Sequence, residues 1–349
     1  MNNKLIALAV AAALTVPMAA SAAPTVYGLM HLSFGSVNRD IATTSANDTD
    51  NWQIRSHASR LGFKGAEEMG NGLTAKYQLE FGVMDDMNGG ENGMTATATG
   101  ATNISARNQW VGLAGGFGEV RIGRHDTPTK FAQGKYDLFG DTDADIVGKQ
   151  AISQGDKRAA AALTYVSPKI ANSLTIAAGL MPGQDVGTGS NTQDGIADGM
   201  SVAAMYDAGP LYVSLAHDSW DAVSGSGSLD TLTRLVATYQ MGAMTFGALY
   251  ETAEDASTGG AGDKDVMGVN FKFAMGKNAM KVQYATAEET VGAGTADTET
   301  TQLTLGVDHE MSKNTTAYFM YTTAETDAAG STTSDIDYDF VGVGMVTQF

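Results

Sequence analysis

The stretch RIGRHDTPTKFAQGKYDLFGDTDADIVGKQ, Arg121 to Gln150, gathers the carboxylates of Asp137, Asp141, Asp143 and Asp145 into a run with no two-residue rhythm. Acidity of this kind suits a solvated surface or a role with cations. The other groups able to do chemistry are dispersed. His31, His57, His125, His217 and His309 have no metal-ligand spacing, and there is no cysteine for thiolate or disulfide chemistry. GGFGEV has the glycines of a phosphate loop without the strand-to-helix setting that a nucleotide site needs. No Ser-His-Asp set stands out. The acid-amide run NDTDN (Asn47 to Asn51) offers oxygen ligands but no calcium-loop pattern, so a solvated loop is the simpler reading. Neither an enzyme nor a bound cofactor or metal is expected.

The chain that must position these acids has 349 residues and a formal net charge of -18. Such a surface is poorly suited to nucleic acid, whose phosphates require Lys and Arg. The N-terminus carries a basic start at Lys4, the apolar run LIALAVAAALTVPMAA and a small-residue site, Ala20-Ser21-Ala22. This is the pattern of a cleaved export signal over residues 1–22, leaving 23–349 as the mature domain. No later apolar run is long enough to cross a membrane as a helix. An exported chain of this kind is either soluble or a closed β-barrel, the other architecture that satisfies its backbone in lipid.

Alternation decides between them. In LTAKYQLEF, Leu73, Ala75, Tyr77, Leu79 and Phe81 share one face while Thr74, Lys76, Gln78 and Glu80 share the other. MKVQYA, TQLTLGVDH and LYVSLAHD repeat the pattern, and 42 glycines against 6 prolines fit many strands and turns. Short links such as GAEEMGN, GG, AGP, MGA, MGKN and MSKN alternate with long polar ones. The count is about sixteen strands, each about ten residues and able to span the roughly 25 Å apolar band of an outer membrane. In such a barrel the polar face, Lys76, Gln78 and Glu80 included, lines water.

From SRLGFKGAEEMGNGLTAKYQLEFG (Ser59 to Gly82) through ARNQWVGLAGGFGEVRIGRHDTP (Ala106 to Pro128) to the terminal Phe349, the sequence resembles the Gram-negative trimeric porins. The resemblance implies an all-β, 16-stranded antiparallel transmembrane barrel in the outer membrane. It implies a homotrimer in contact with lipid and lipopolysaccharide, delivered by periplasmic chaperones and the barrel-assembly machinery. Its function would be diffusion of ions and small hydrophilic solutes.

The third external loop of that family folds into the barrel, which here would be about Asp126 to Asp156. Asp137 matches an acid ahead of Phe139-Gly140, with Asp141, Asp143 and Asp145 as further candidates. Arg60, Arg107, Arg124 and, more loosely, Arg158 match the basic wall opposite. The terminal Phe349 resembles the assembly signal, and the Phe340-Val341 pair breaks parity in a way that suggests a bulge. A first-strand lysine of some relatives is absent, Leu29 and His31 standing in YGLMHL. Acids facing guanidiniums across water create a transverse field that sets ion preference. The acidic loops and reduced wall ladder point to a mild cation preference. A substrate-specific channel and a non-conducting surface barrel are the alternatives.

Overall fold

In a computed structural model of the chain, residues 23–41, 48–83, 104–148, 152–183, 195–220, 229–255, 262–290, 297–328 and 335–349 are described. The expected export signal at 1–22 lies outside them. The strands are β1 (Thr25–Ile41), β2 (Thr49–Ser56), β3 (Arg60–Gly70), β4 (Leu73–Val83), β5 (Ile104–Gly115) and β6 (Gly118–Asp126). A short helix α1 (Pro128–Ala132) follows. Then come β7 (Arg158–Val166), β8 (Leu174–Met181), β9 (Gly199–Ala208), β10 (Leu211–Trp220), β11 (Leu229–Met241) and β12 (Met244–Asp255). The last are β13 (Lys264–Met275), β14 (Asn278–Glu289), β15 (Thr298–Ser312), β16 (Thr315–Ala328) and β17 (Ile336–Gln348).

All pairings are antiparallel, and β1 pairs with β17, so the sheet closes on itself. β2 and β3 are two halves of one barrel strand. β1 pairs with both in succession, Leu32 opposite Ser56 and Leu29 opposite Arg60. The break falls at His57 to Ser59, where Ala58 adopts a φ of 49°. The 17 segments therefore make sixteen barrel strands. The seam is fastened beyond the ladder: the Gly28 N–H donates to the Phe349 carbonyl at 2.9 Å and the Phe349 N–H to the Gly28 carbonyl at 3.1 Å.

Short links stand at one end of the barrel and long ones at the other. Several short links are tighter than the sequence suggests. β3 runs through GAEEMG, leaving a turn of only Asn71 and Gly72, both at positive φ. The start of the arrhythmic stretch, Arg121 to Asp126, belongs to β6.

Outward faces carry exposed apolar residues such as Leu79, Val282, Leu305 and Val343, as expected of strands against lipid. The inward face is not uniformly polar. Val236, Leu249, Val266 and Ala285 point inward and are buried against Tyr136, Ile146 and Ile152 of the β6–β7 connection. Phe139 and Ala144 pack likewise on Val37, Met320 and Phe340. The connection is thus docked on the wall through apolar contacts, and the bulge expected at Phe340-Val341 is not formed. The register there runs unbroken, and Phe340 points inward because the connection supplies an apolar partner.

Candidate functional site: the cleft between the β6–β7 connection and the wall

The connection begins at Thr127, whose hydroxyl caps α1 by accepting from the Lys130 N–H at 3.3 Å. Pro128 opens the helix, where its missing N–H costs nothing. From there the wall's side chains hold the connection by its backbone. Tyr212 and Ser214 donate to the Ala132 carbonyl at 2.9 and 2.5 Å. Asn270 donates to Tyr136 O at 2.5 Å, Lys281 to Leu138 O at 2.9 Å, and Gln302 to Ala144 O at 2.6 Å. Gln283 bonds twice, accepting from the Leu138 N–H at 3.0 Å and donating to Asp137 at 2.9 Å.

The returning arm is held by charge. Arg234 and Glu251 face each other in the β11–β12 register, joined at 2.6 Å, both side chains fully buried. Arg234 also reaches Asp156 at 2.9 Å and Gln133 at 3.1 Å. Glu251 accepts from Ser153 and from the Gln154 N–H. These anchors hold the connection to one arc of the wall and leave a cleft of about 410 Å³ against the opposite arc, β3 to β7.

Arg60, Arg107 and Arg158 line that cleft with Lys130, facing Asp137, Asp141, Asp145 and Asp156. The direct bridge is Arg60 to Asp141 at 3.2 Å, between partly exposed groups. Asp141 sits at φ 57°, a turn conformation that Asp tolerates better than most residues, and this aims its carboxylate off the connection. Asp137 accepts from the Phe139 and Ile146 N–H groups, and Asp145 from those of Asp141 and Val147. These two acids brace the turn as well as line the cleft. Burial and the Asp145 carboxylate beside it push Asp137 up to about 7. Burial raises Asp145 as well.

The wall arginines are not left free to face the acids. Arg107 donates to Glu80 at 2.8 Å, and Arg158 bridges to Asp126 at 2.9 Å and donates to Asn108 at 3.0 Å. Arg107 reaches the lumen because the β4–β5 register shifts between Leu79 and Phe81, so that β5 supplies Arg107 and Asn108 opposite Glu80. Lys76 pairs with Glu119 at 2.8 Å, and Gln78 accepts from Trp110 and donates to Tyr27, all on the lumen side.

Two expected members stand apart. Arg124 donates to the Ala106 carbonyl and does not line the cleft. Strand parity keeps it out of the inward set: it stands opposite Gln109, which faces the outward Leu79, and shares a face with the exposed Ile122. Asp143 is buried away from the cleft, bridged to Arg55 at 2.7 Å and His57 at 3.4 Å. Arg55, Arg234, Glu251, Asp126 and Asp156 were not anticipated. The Arg234–Glu251 pair had a signal, since the two lie equidistant from the Gly242-Ala243 turn with opposite charge. Among the described residues, no group of His, Asp and Glu side chains gathers as a metal site. Asp48 of NDTDN accepts from the Ile41 N–H, and Asn47 lies outside the described residues.

Comparison with known proteins then decides the family. Residues 7–329 match the model of the Gram-negative porins. The chain belongs to that family. It is 30% identical over 329 residues to outer membrane porin protein 32 of Delftia acidovorans, covering 91% of this chain and 88% of the relative. It is 37% identical over 133 residues to major outer membrane protein P.IB of Neisseria gonorrhoeae, covering 37% of this chain. In fold it resembles an anion-selective porin from Comamonas acidovorans, with a TM-score of 0.75 at 24% identity over 95% of this chain and all of that one. It also resembles a trimer form of OmpT from Vibrio cholerae, with a TM-score of 0.65 at 17% identity over 95% of this chain. The protein is thus an outer-membrane porin of Gram-negative type, a barrel channel whose relatives are likewise porins.

Proposed function

We propose that this porin is a passive diffusion channel for ions and small hydrophilic solutes, narrowed by the β6–β7 connection and mildly cation-preferring. In this reading the protein works as a homotrimer; a trimer form is named for OmpT of Vibrio cholerae, which it resembles in fold. The observation that carries the reading is the composition of the cleft. Glu80, Asp126, Asp137, Asp141, Asp145 and Asp156 line it against Arg60, Arg107, Lys130 and Arg158. A passage whose walls carry fixed charges of both signs orders water and dipolar solutes and excludes apolar ones. The excess of carboxylates, with Arg107 and Arg158 already paired to wall acids, tilts the field toward cations. The sign is opposite to that named for the Comamonas porin, so it is the sharpest part to test.

Purified protein in a planar bilayer should open in conductance steps grouped in threes, and silence would refute the channel. In a KCl gradient the reversal potential should point to potassium. A potential pointing to chloride would refute the cation preference while leaving the channel intact.

A further inference from the structure

A second cavity, of about 480 Å³, lies under the connection toward the short-turn end. Its lining comes from the Gly209-Pro210 and Gly242-Ala243 turns, from Thr238 and Gln240 of β11, from Thr245 of β12 and from Lys272 of β13. Gly134 and Lys135 of the connection complete it. Where the first cleft is rich in carboxylates, this one holds two ammonium groups and a single acid. That acid, Asp207, bridges to Lys169 at 3.3 Å. Among the described residues neither Lys135 nor Lys272 has an ion-pair or hydrogen-bond partner.

The neighbouring wall adds a second observation. Lys272 stands directly opposite Lys281 in the β13–β14 register. Like charges so placed destabilise a sheet unless something offsets them. Lys281 is offset by Asp308 at 2.9 Å and by the Leu138 carbonyl, but Lys272 is not. The hydroxyls of Thr238 and Thr245 and the amide of Gln240 add hydrogen-bonding groups around the two ammoniums.

We infer that this cavity is a binding subsite for a small oxyanion, phosphate in size and charge, on the short-turn side of the pore. Lys135 and Lys272 supply the charge, and the threonine hydroxyls donate to the anion's oxygens. The subsite rests on the channel reading and adds to it a station for anions beyond the carboxylate-rich cleft. A solute would then meet opposite fixed charges in sequence, and phosphate would dwell at the second of them.

The test is a conductance titration in which inorganic phosphate replaces chloride at matched ionic strength on the short-turn side of an oriented bilayer. Single-channel current should fall to a plateau. The double variant K135Q/K272Q should raise the half-saturating phosphate concentration by about tenfold or more, a factor worth about 1.4 kcal/mol. K64Q, which removes a lumen lysine stacked over Tyr27 on the far wall, should leave it unchanged. A current that falls without saturating, or identically in the double variant, would overturn the subsite. Loss of all conductance in the unaltered protein would instead overturn the channel reading on which it rests.

Discussion

Replacing Arg234 with methionine should loosen the returning arm of the connection while leaving the barrel closed. The guanidinium is fully buried, bonded to Glu251 and Asp156 and donating to Gln133 and Ser153. Removing one partner of a buried pair costs about 3–5 kcal/mol, because the other charge stays behind without its counter-ion. Here Glu251 is left without a counter-ion, while Asp156 keeps Lys130 at 3.6 Å. The opposing term is the apolar seat of Tyr136, Ile146 and Ile152, each worth about 1.5–3 kcal/mol. Together the three apolar contacts outweigh the lost pair, so the arm from Ser153 to Lys157 loosens while the segment around Tyr136 stays docked.

The assay is paired. Thermal unfolding of the detergent-solubilised protein should shift to lower temperature, and open-channel current noise should rise. In R234M/E251L, where both charges go, most of the lost stability should return, and the double-mutant cycle gives the coupling directly. If R234M matches the parent in both midpoint and noise, the charge hub does not hold the arm and the argument fails.

Three further outcomes follow from the same geometry. Because Asp137 is raised to about 7 by burial and by Asp145, it is largely protonated on the acid side and gains its charge as pH rises through neutrality. Cation preference should therefore grow between about pH 6 and pH 8, while the docked connection should weaken from about pH 4 up to about pH 7, the interval between the free and folded values of a raised carboxyl; D137N should flatten both trends. Asp141→Asn removes the bridge to Arg60 between groups that are partly exposed, so stability should change by no more than about 1 kcal/mol. Its reversal potential should still move toward chloride, and an unmoved potential would assign the field to other acids. Gly28→Val should displace the Phe349 ring, which occupies the space of the missing side chain, and lower the yield of heat-resistant folded barrel; an unchanged yield would separate that contact from seam closure.

Most of the barrel was legible because one rule governs every strand: outward residues meet lipid, so Leu303, Leu305 and Val307 could be placed by parity alone. The same rule placed Lys76, Gln78 and Glu80 toward the lumen. It failed where the backbone departs from strict pairing. Arg107 needs the β4–β5 shift to face inward, whereas Arg124 follows parity and shares the outward face of Ile122. Arg55 was missed because its strand is broken at Ala58, which interrupts the count. The inward apolar residues Val236, Leu249 and Val266 contradict a purely polar lumen, and only a connection docked on them accounts for their position. The acids of the connection were found by type, but which of them reaches an arginine of the cleft depends on the left-handed turn at Asp141, while Asp143 turns instead to Arg55.

The way the connection is fastened carries a consequence for how such a channel can change. Ala132, Tyr136, Leu138 and Ala144 are gripped by their backbone carbonyls, with the donors on Tyr212, Ser214, Asn270, Lys281 and Gln302 of the wall. A carbonyl is the same whatever side chain its residue bears. Substitutions at Asp141, whose carboxylate bonds to Arg60 across the cleft and not to the connection itself, can therefore rewrite the charge of the passage while the path of the chain is retained. The donors that fix the path of the connection stand on the strands and do not read its side chains, which makes path and charge two separately adjustable traits for natural drift or for deliberate redesign.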